Sequence, residues 1–66
     1  MLRGVVTTFD PQRGVGVIET STGERFGFHC TAIADGSRRI DEGAEVSLAT
    51  GPGRHGRWEA VDVARI

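Results

Sequence analysis

His29 and Cys30 are the residues best equipped for chemistry in this chain, and they stand side by side after Arg25-Phe26-Gly27-Phe28. A cysteine and a histidine make a nucleophile and its base only when they face each other. Neighbours in a strand point to opposite faces, so no such dyad is expected. One cysteine and two histidines also fall short of a closed zinc site and lack its spacing. Gly14-x-Gly16 sits inside a strand-like run and precedes no helix, so it is not a phosphate-cradling loop. Asp41-Glu42 pairs two carboxylates, but in a turn, at a solvated tip. The expectation is a protein that is not an enzyme, with no catalytic residue, no metal and no cofactor.

What remains points to binding. All eight basic side chains are arginines (Arg3, Arg13, Arg25, Arg38, Arg39, Arg54, Arg57 and Arg65), whose planar forks hold phosphates and stack on bases. A coding bias toward Arg, Gly and Ala explains the same composition. A formal net charge of −1 announces no polyanion partner by itself. The 66 residues make one domain, 1–66. A chain this short buries only about 60% of the surface its unfolded form exposes, which favours a shallow binding surface over a deep cleft. A single cysteine forms no internal disulfide, which suits a reducing, cytoplasmic setting. The short apolar runs are far below a membrane span, and Met1-Leu2-Arg3-Gly4 enters a strand-like run without room for a signal peptide.

Ten glycines and two prolines punctuate short apolar runs, and no stretch sustains a helical period. Strands are expected over Leu2–Phe9, Gly14–Thr20, Arg25–Cys30, Ala44–Thr50 and Trp58–Arg65. Turns fall at Asp10-Pro11-Gln12-Arg13 and Ser21-Thr22-Gly23-Glu24, with one helical turn at Thr31-Ala32-Ile33 and loops over 34–39 and 51–56. Alternation places Phe26 and Phe28 in the core, Val46 and Leu48 inward, and Val61 with Val63 opposite Ala60 with Asp62. Five short strands without a long helix suggest a sandwich or a barrel, and a closed barrel removes sticky edges.

Five segments in this order and spacing resemble the bacterial cold-shock domain over essentially the whole chain. They are Gly4-Val5-Val6-Thr7-Thr8-Phe9-Asp10, Arg13-Gly14-Val15-Gly16-Val17-Ile18-Glu19, Phe26-Gly27-Phe28-His29-Cys30-Thr31-Ala32-Ile33, Ile40-Asp41-Glu42-Gly43 and Glu59-Ala60-Val61-Asp62-Val63. The resemblance implies an all-β, five-stranded antiparallel Greek-key barrel of the oligonucleotide-binding type. It also implies binding of single-stranded RNA or DNA on rings that project from the first three strands. The family's second strand reads Lys-Gly-Phe-Gly-Phe-Ile; here Arg13 replaces the lysine, and Val15 and Val17 replace the phenylalanines. The family's first-strand Lys-Trp falls at Thr7-Thr8, its Val-Phe-Val-His-Phe at Phe26-Gly27-Phe28-His29-Cys30, and its loop Phe-Lys at Ser37-Arg38. Base–aromatic stacking is worth about 1–3 kcal/mol per base, so four or more missing rings remove on the order of 4–12 kcal/mol. A whole micromolar complex has only about 8 kcal/mol. Weak, phosphate-dominated and salt-dependent binding is therefore expected.

The residues expected to touch nucleic acid are Phe9, Arg13, Val15, Val17, Arg25, His29, Arg38 and Trp58. Each has a plainer reading. His29 is the retained stacking group or a surface histidine kept for packing. Phe9 offers a ring beside the platform or joins the core. Arg13, Arg25 and Arg38 form a positive rim or pair with Glu19, Glu24 or Asp10. Trp58, among Arg54, His55 and Arg57, is a relocated contact for bases or the plug of one barrel end. Val15, Val17, Gly27 and Thr8 make a small apolar patch that suits a protein partner, a second copy of this chain among them. The alternative function is thus a protein-interaction or self-associating module.

Overall fold

Runs rich in β-branched and aromatic residues become five strands: β1 (Leu2–Asp10), β2 (Val15–Thr20), β3 (Arg25–His29), β4 (Glu45–Pro52) and β5 (Trp58–Arg65). The computed structural model describes residues 1–53 and 56–66. The strands hydrogen-bond in the order β1-β2-β3-β5-β4, and β4 returns to β1 to close a barrel. Four seams are antiparallel; β3 meets β5 in parallel, through Gly27 and Glu59. Val6, Ile18, Phe28, Val46, Leu48, Ala60 and Val63 fill the interior, with Ile33 and Ile40 added from the long connection between β3 and β4.

Several local features depart from simple alternation. Cys30 leaves β3 and opens a single 3-10 turn, Cys30–Ala32, one residue earlier than expected. β4 runs on to Pro52, so the glycine-rich loop begins later than expected. Ala60 and Val63 are both buried, and Val61 does not share Val63's face. The cause is a bulge in β5. Ala49 pairs with Val61 and Ser47 with Ala64, so two β5 residues oppose Leu48. Asp62 supplies the kink with φ 50°. β1 carries a matching bulge, because Val6 pairs with Ile18 but Thr8 with Val17. The unmatched Thr7 donates its hydroxyl to the Val17 carbonyl at 3.1 Å.

The bulge in β1 turns Phe9 inward. Phe9, Gly16 and Phe28 form one cross-strand row on the inner side of β1, β2 and β3. The two phenyl rings stack over the bare glycine, with centroids 5.9 Å apart and planes 13° from parallel. A Cβ at Gly16 would lie 2.5 Å from the Thr8 carbonyl oxygen and 2.7 Å from the Phe28 ring. Gly14, at φ 68°, closes the preceding turn by donating to the Asp10 carbonyl at 2.8 Å. Each glycine of the Gly-x-Gly pair thus has a separate steric duty.

Gly16→Ala is expected to destabilise the barrel by about 1–3 kcal/mol through overpacking, a fall in Tm of roughly 4–8 °C per kcal/mol. Gly27→Ala is the control. A Cβ there meets nothing nearer than the Gly16 carbonyl at 3.9 Å, and stability should stay within about 0.5 kcal/mol. Thermal denaturation of both variants checks this, and equal losses would contradict the steric account.

Candidate functional site

Strand parity fixes what the outer side of β1–β3 presents. Three cross-strand rows run over it: Asp10–Val15–His29, Thr8–Val17–Gly27 and Val5–Glu19–Arg25. The middle row continues onto β5 at Glu59. Val15 and Val5 are 39% and 40% exposed, so the face carries aliphatic surface open to a partner. Val15 and Glu19 mark the ends of this stretch of β2, about 13 Å apart.

Gly27 leaves a gap in the middle row. An open depression forms there, lined by Val15, Gly16, Gly27, Phe28, His29, Thr31 and Glu59. His29 is one of its polar lining residues. Its Nδ1 accepts from the Thr31 backbone N–H at 3.3 Å and lies 3.0 Å from the Thr31 hydroxyl. A neutral imidazole whose Nδ1 accepts carries its proton on Nε2, leaving a donor for a ligand. The Cys30 sulfur also lies 3.8 Å from His29 Nδ1. Alternation places these two side chains on opposite faces; the early exit into the 3-10 turn brings them together. Nδ1 is already engaged by Thr31, so it is not a free base for the thiol. Among the described residues no cluster of three or more His, Cys, Asp or Glu is placed to hold a metal ion. No helix among them is long and apolar enough to cross a membrane.

The family model of the "cold-shock" DNA-binding domain matches residues 2–66. The chain belongs to the cold-shock domain family. It is 37% identical over 61 residues to the cold shock protein CspC of Bacillus subtilis (strain 168), covering 91% of this chain and 92% of that one. It is 36% identical over 67 residues to the cold shock protein CspB of Bacillus caldolyticus, across the full length of both. The cold shock-like protein CspE of Bacillus anthracis is 39% identical over 56 residues, with 83% and 84% covered.

Within this cold-shock barrel the expected residues separate into groups. Val15, Val17 and His29 share the outer face with Thr8 and Gly27. Arg13 lies in the turn at one end of that face, exposed, its backbone N–H 3.3 Å from Asp10 Oδ1. Arg25 lies at the other end and pairs with Glu19 at 3.1 Å. That pair is exposed and worth about 0–1 kcal/mol, so it yields readily to another anion. Phe9 sits on the inner side, half-buried against Phe28, and borders a second depression with Ile40 and Glu42. Glu42 accepts the Phe9 backbone N–H at 3.1 Å. Trp58 is 62% exposed, so it does not plug the barrel. It pairs with Pro52 and has the strand parity of Ala60, away from the β1–β3 outer face. Arg54 and His55, the expected basic neighbours of Trp58, lie outside the described residues.

Arg38 is exposed at φ 60°, a left-handed conformation that is uncommon for a side chain of this kind. Arg65, at the end of β5, holds the residues around it. Its guanidinium donates to the Asp35 carboxylate, to the Ser37 hydroxyl at 3.2 Å and to the Arg39 carbonyl. The Ser37 backbone N–H donates to Asp35 Oδ1 at 2.8 Å. Sequence reasoning singled out neither Arg65 nor Glu59 as a site residue. Their partners are about 30 residues away, and only barrel closure brings them together.

The Ser37 hydroxyl and N–H, with the Arg65 guanidinium, hold the Asp35 carboxyl below its ordinary value of 3.8. A depressed folded-state value means that the clamp's stabilisation is whole above that ordinary value and is lost as the pH falls below it. Asp35→Asn is therefore expected to lower Tm at pH 7, with the gap from wild type closing under acid. A gap independent of pH would contradict a charged clamp.

Proposed function

We propose that this chain binds single-stranded RNA or DNA weakly through the outer face of β1–β3, as an RNA chaperone or a regulator of gene expression. The observation that carries the reading is one exposed sheet face holding Val15, Val17, Gly27 and His29, with the His29 Nε2–H left as a donor. Membership of the cold-shock family and relatives named cold shock proteins support it. His29 stacks on or donates to a base or phosphate, Val15 and Val17 give aliphatic contact, and Arg13 and Arg25 hold phosphates at the two ends. Arg38, Phe9 and Trp58 add peripheral contacts. The protein acts by binding and not by catalysis, and the free Cys30 thiol suits a reducing cytoplasm.

Titration with short oligopyrimidine strands at low and high salt tests this. Binding at low salt is expected in the micromolar range or weaker, falling steeply as salt rises. His29→Ala should weaken it by about 1–3 kcal/mol. Arg13→Ala should flatten the plot of log affinity against log salt by about 0.7, the slope that one neutralised phosphate carries on a single strand. Quenching of Trp58 on binding would place that ring in the site. No binding near millimolar protein at low salt would defeat the reading.

A second reading is favoured by the aliphatic exposure of Val5 and Val15 on that same face. There the barrel serves self-association or a protein partner. Sedimentation should then show a dimer that Val15→Asp disrupts, whereas a monomer at all concentrations would exclude the dimer.

A further inference from the structure

Arg38 is held from both sides. It takes φ 60°, a left-handed conformation that costs a non-glycine residue free energy and persists only where its surroundings over-determine it. Here they do. The Ser37 hydroxyl reaches past Arg38 and donates to the Arg39 carbonyl at 2.9 Å. The Arg65 guanidinium donates to that same carbonyl, to the Ser37 hydroxyl and to the Asp35 carboxylate. Asp35 Oδ1 accepts the Ser37 N–H at 2.8 Å. At the start of this loop the Ala34 N–H donates to the Val63 carbonyl at 2.7 Å, and at its end Ile40 is buried in the core. Each of these ties ends on a residue other than Arg38, whose side chain is left exposed. Among the described residues the ion pairs are Arg25–Glu19 and Arg65–Asp35, so the Arg38 charge is not spent in one.

We infer that Arg65, Asp35 and Ser37 are positioning residues that preset Arg38 as a phosphate contact. The inference rests on the nucleic-acid reading above and adds how one of its contacts is made ready. An arginine on a loose loop must be ordered when a strand binds, and that cost is subtracted from affinity. Here the backbone of Arg38 is ordered when the barrel closes, because β5 carries Arg65 to the loop. Arg65 is not itself the contact: Asp35 meets its charge, and Ser37 and Arg39 occupy further donors. One consequence has an unusual sign. Asp35→Asn removes a negative charge, which by plain electrostatics draws a polyanion more tightly. Loosening the clamp works in the opposite direction.

The test is fluorescence anisotropy with a labelled oligopyrimidine of about 6 nucleotides, titrated at several salt concentrations well below the Tm of each protein. Wild type is compared with Arg38→Ala, Asp35→Asn, the charge-neutral Ser37→Ala, and each of the last two combined with Arg38→Ala. Arg38→Ala should flatten the plot of log affinity against log salt by about 0.7, the share of one phosphate. Asp35→Asn and Ser37→Ala should each weaken low-salt binding on the order of three-fold, within the cost of ordering one long side chain. Neither should add to the loss once Arg38 is gone. Tighter or unchanged binding by folded Asp35→Asn overturns the inference. If that variant does not fold, unchanged binding by Ser37→Ala does so instead. Losses that persist on the Arg38→Ala background, or no effect of Arg38→Ala itself, overturn it too. All these results leave the nucleic-acid reading standing. Failure of wild type to bind any strand removes that reading and the inference with it.

Discussion

Two phenyl rings that meet across a missing side chain set the geometry of this barrel. Phe9 on β1 and Phe28 on β3 reach each other only because Gly16, between them on β2, offers bare backbone. A side chain there would strike the Thr8 carbonyl or the Phe28 ring. The ring pair therefore fixes which residues of all three strands face inward. Once Gly16 and Phe28 are inward, Val15, Val17, Gly27 and His29 have no choice but the outer face. The bulge at Thr7 follows from the same demand. It shifts β1 by one residue so that Phe9 can join Phe28 after Val6 has already been placed in the core.

The core and the outer face are thereby decoupled. Replacing an outward ring by valine or glycine leaves Val6, Ile18, Val46, Leu48 and Val63 untouched. Folding does not require rings on the outer face, and their loss is felt only by a ligand. The charges of the face follow the same logic. Glu19 and Arg25 neutralise each other across β2 and β3, and Asp10 spends its carboxylate on the backbone of its own turn. Neither arrangement is strong, because exposed pairs of this kind are screened and mobile.

Local patterns made much of this legible from sequence. Val46 and Leu48 alternate as expected, Phe28 fills the core, and the hairpin at Ser21–Glu24 closes with Gly23 at φ 89°. The errors lie where a strand breaks its own period. Val61 and Val63 look like one face of a strand, but Asp62 takes a left-handed conformation and moves Val63 to the other side. Aspartate tolerates such a conformation better than most residues, but as a single residue inside an apolar alternation it does not mark where the kink falls. Alternation sets Cys30 and His29 on opposite faces, but the strand ends at His29 and the rule does not extend to Cys30. Glu59 and Arg65 carry no local signal, for a different reason. Each gains its meaning from a partner on a strand or loop distant in sequence, through a parallel seam that no hairpin signal predicts.

The composition of β3 ties these threads together. Where the family alternates valine inward with phenylalanine outward, this chain places Phe26 and Phe28 inward and Gly27 outward. Aromatic volume has moved from the surface of the strand to its interior. The interior gains, because Phe28 is buried and Phe26 packs against the core. A phenyl ring at either position buries more apolar area than valine. The outer face loses a stacking platform and gains a gap bordered by His29 and Glu59. One inversion within a single strand thus moves aromatic volume from the outer face to the core.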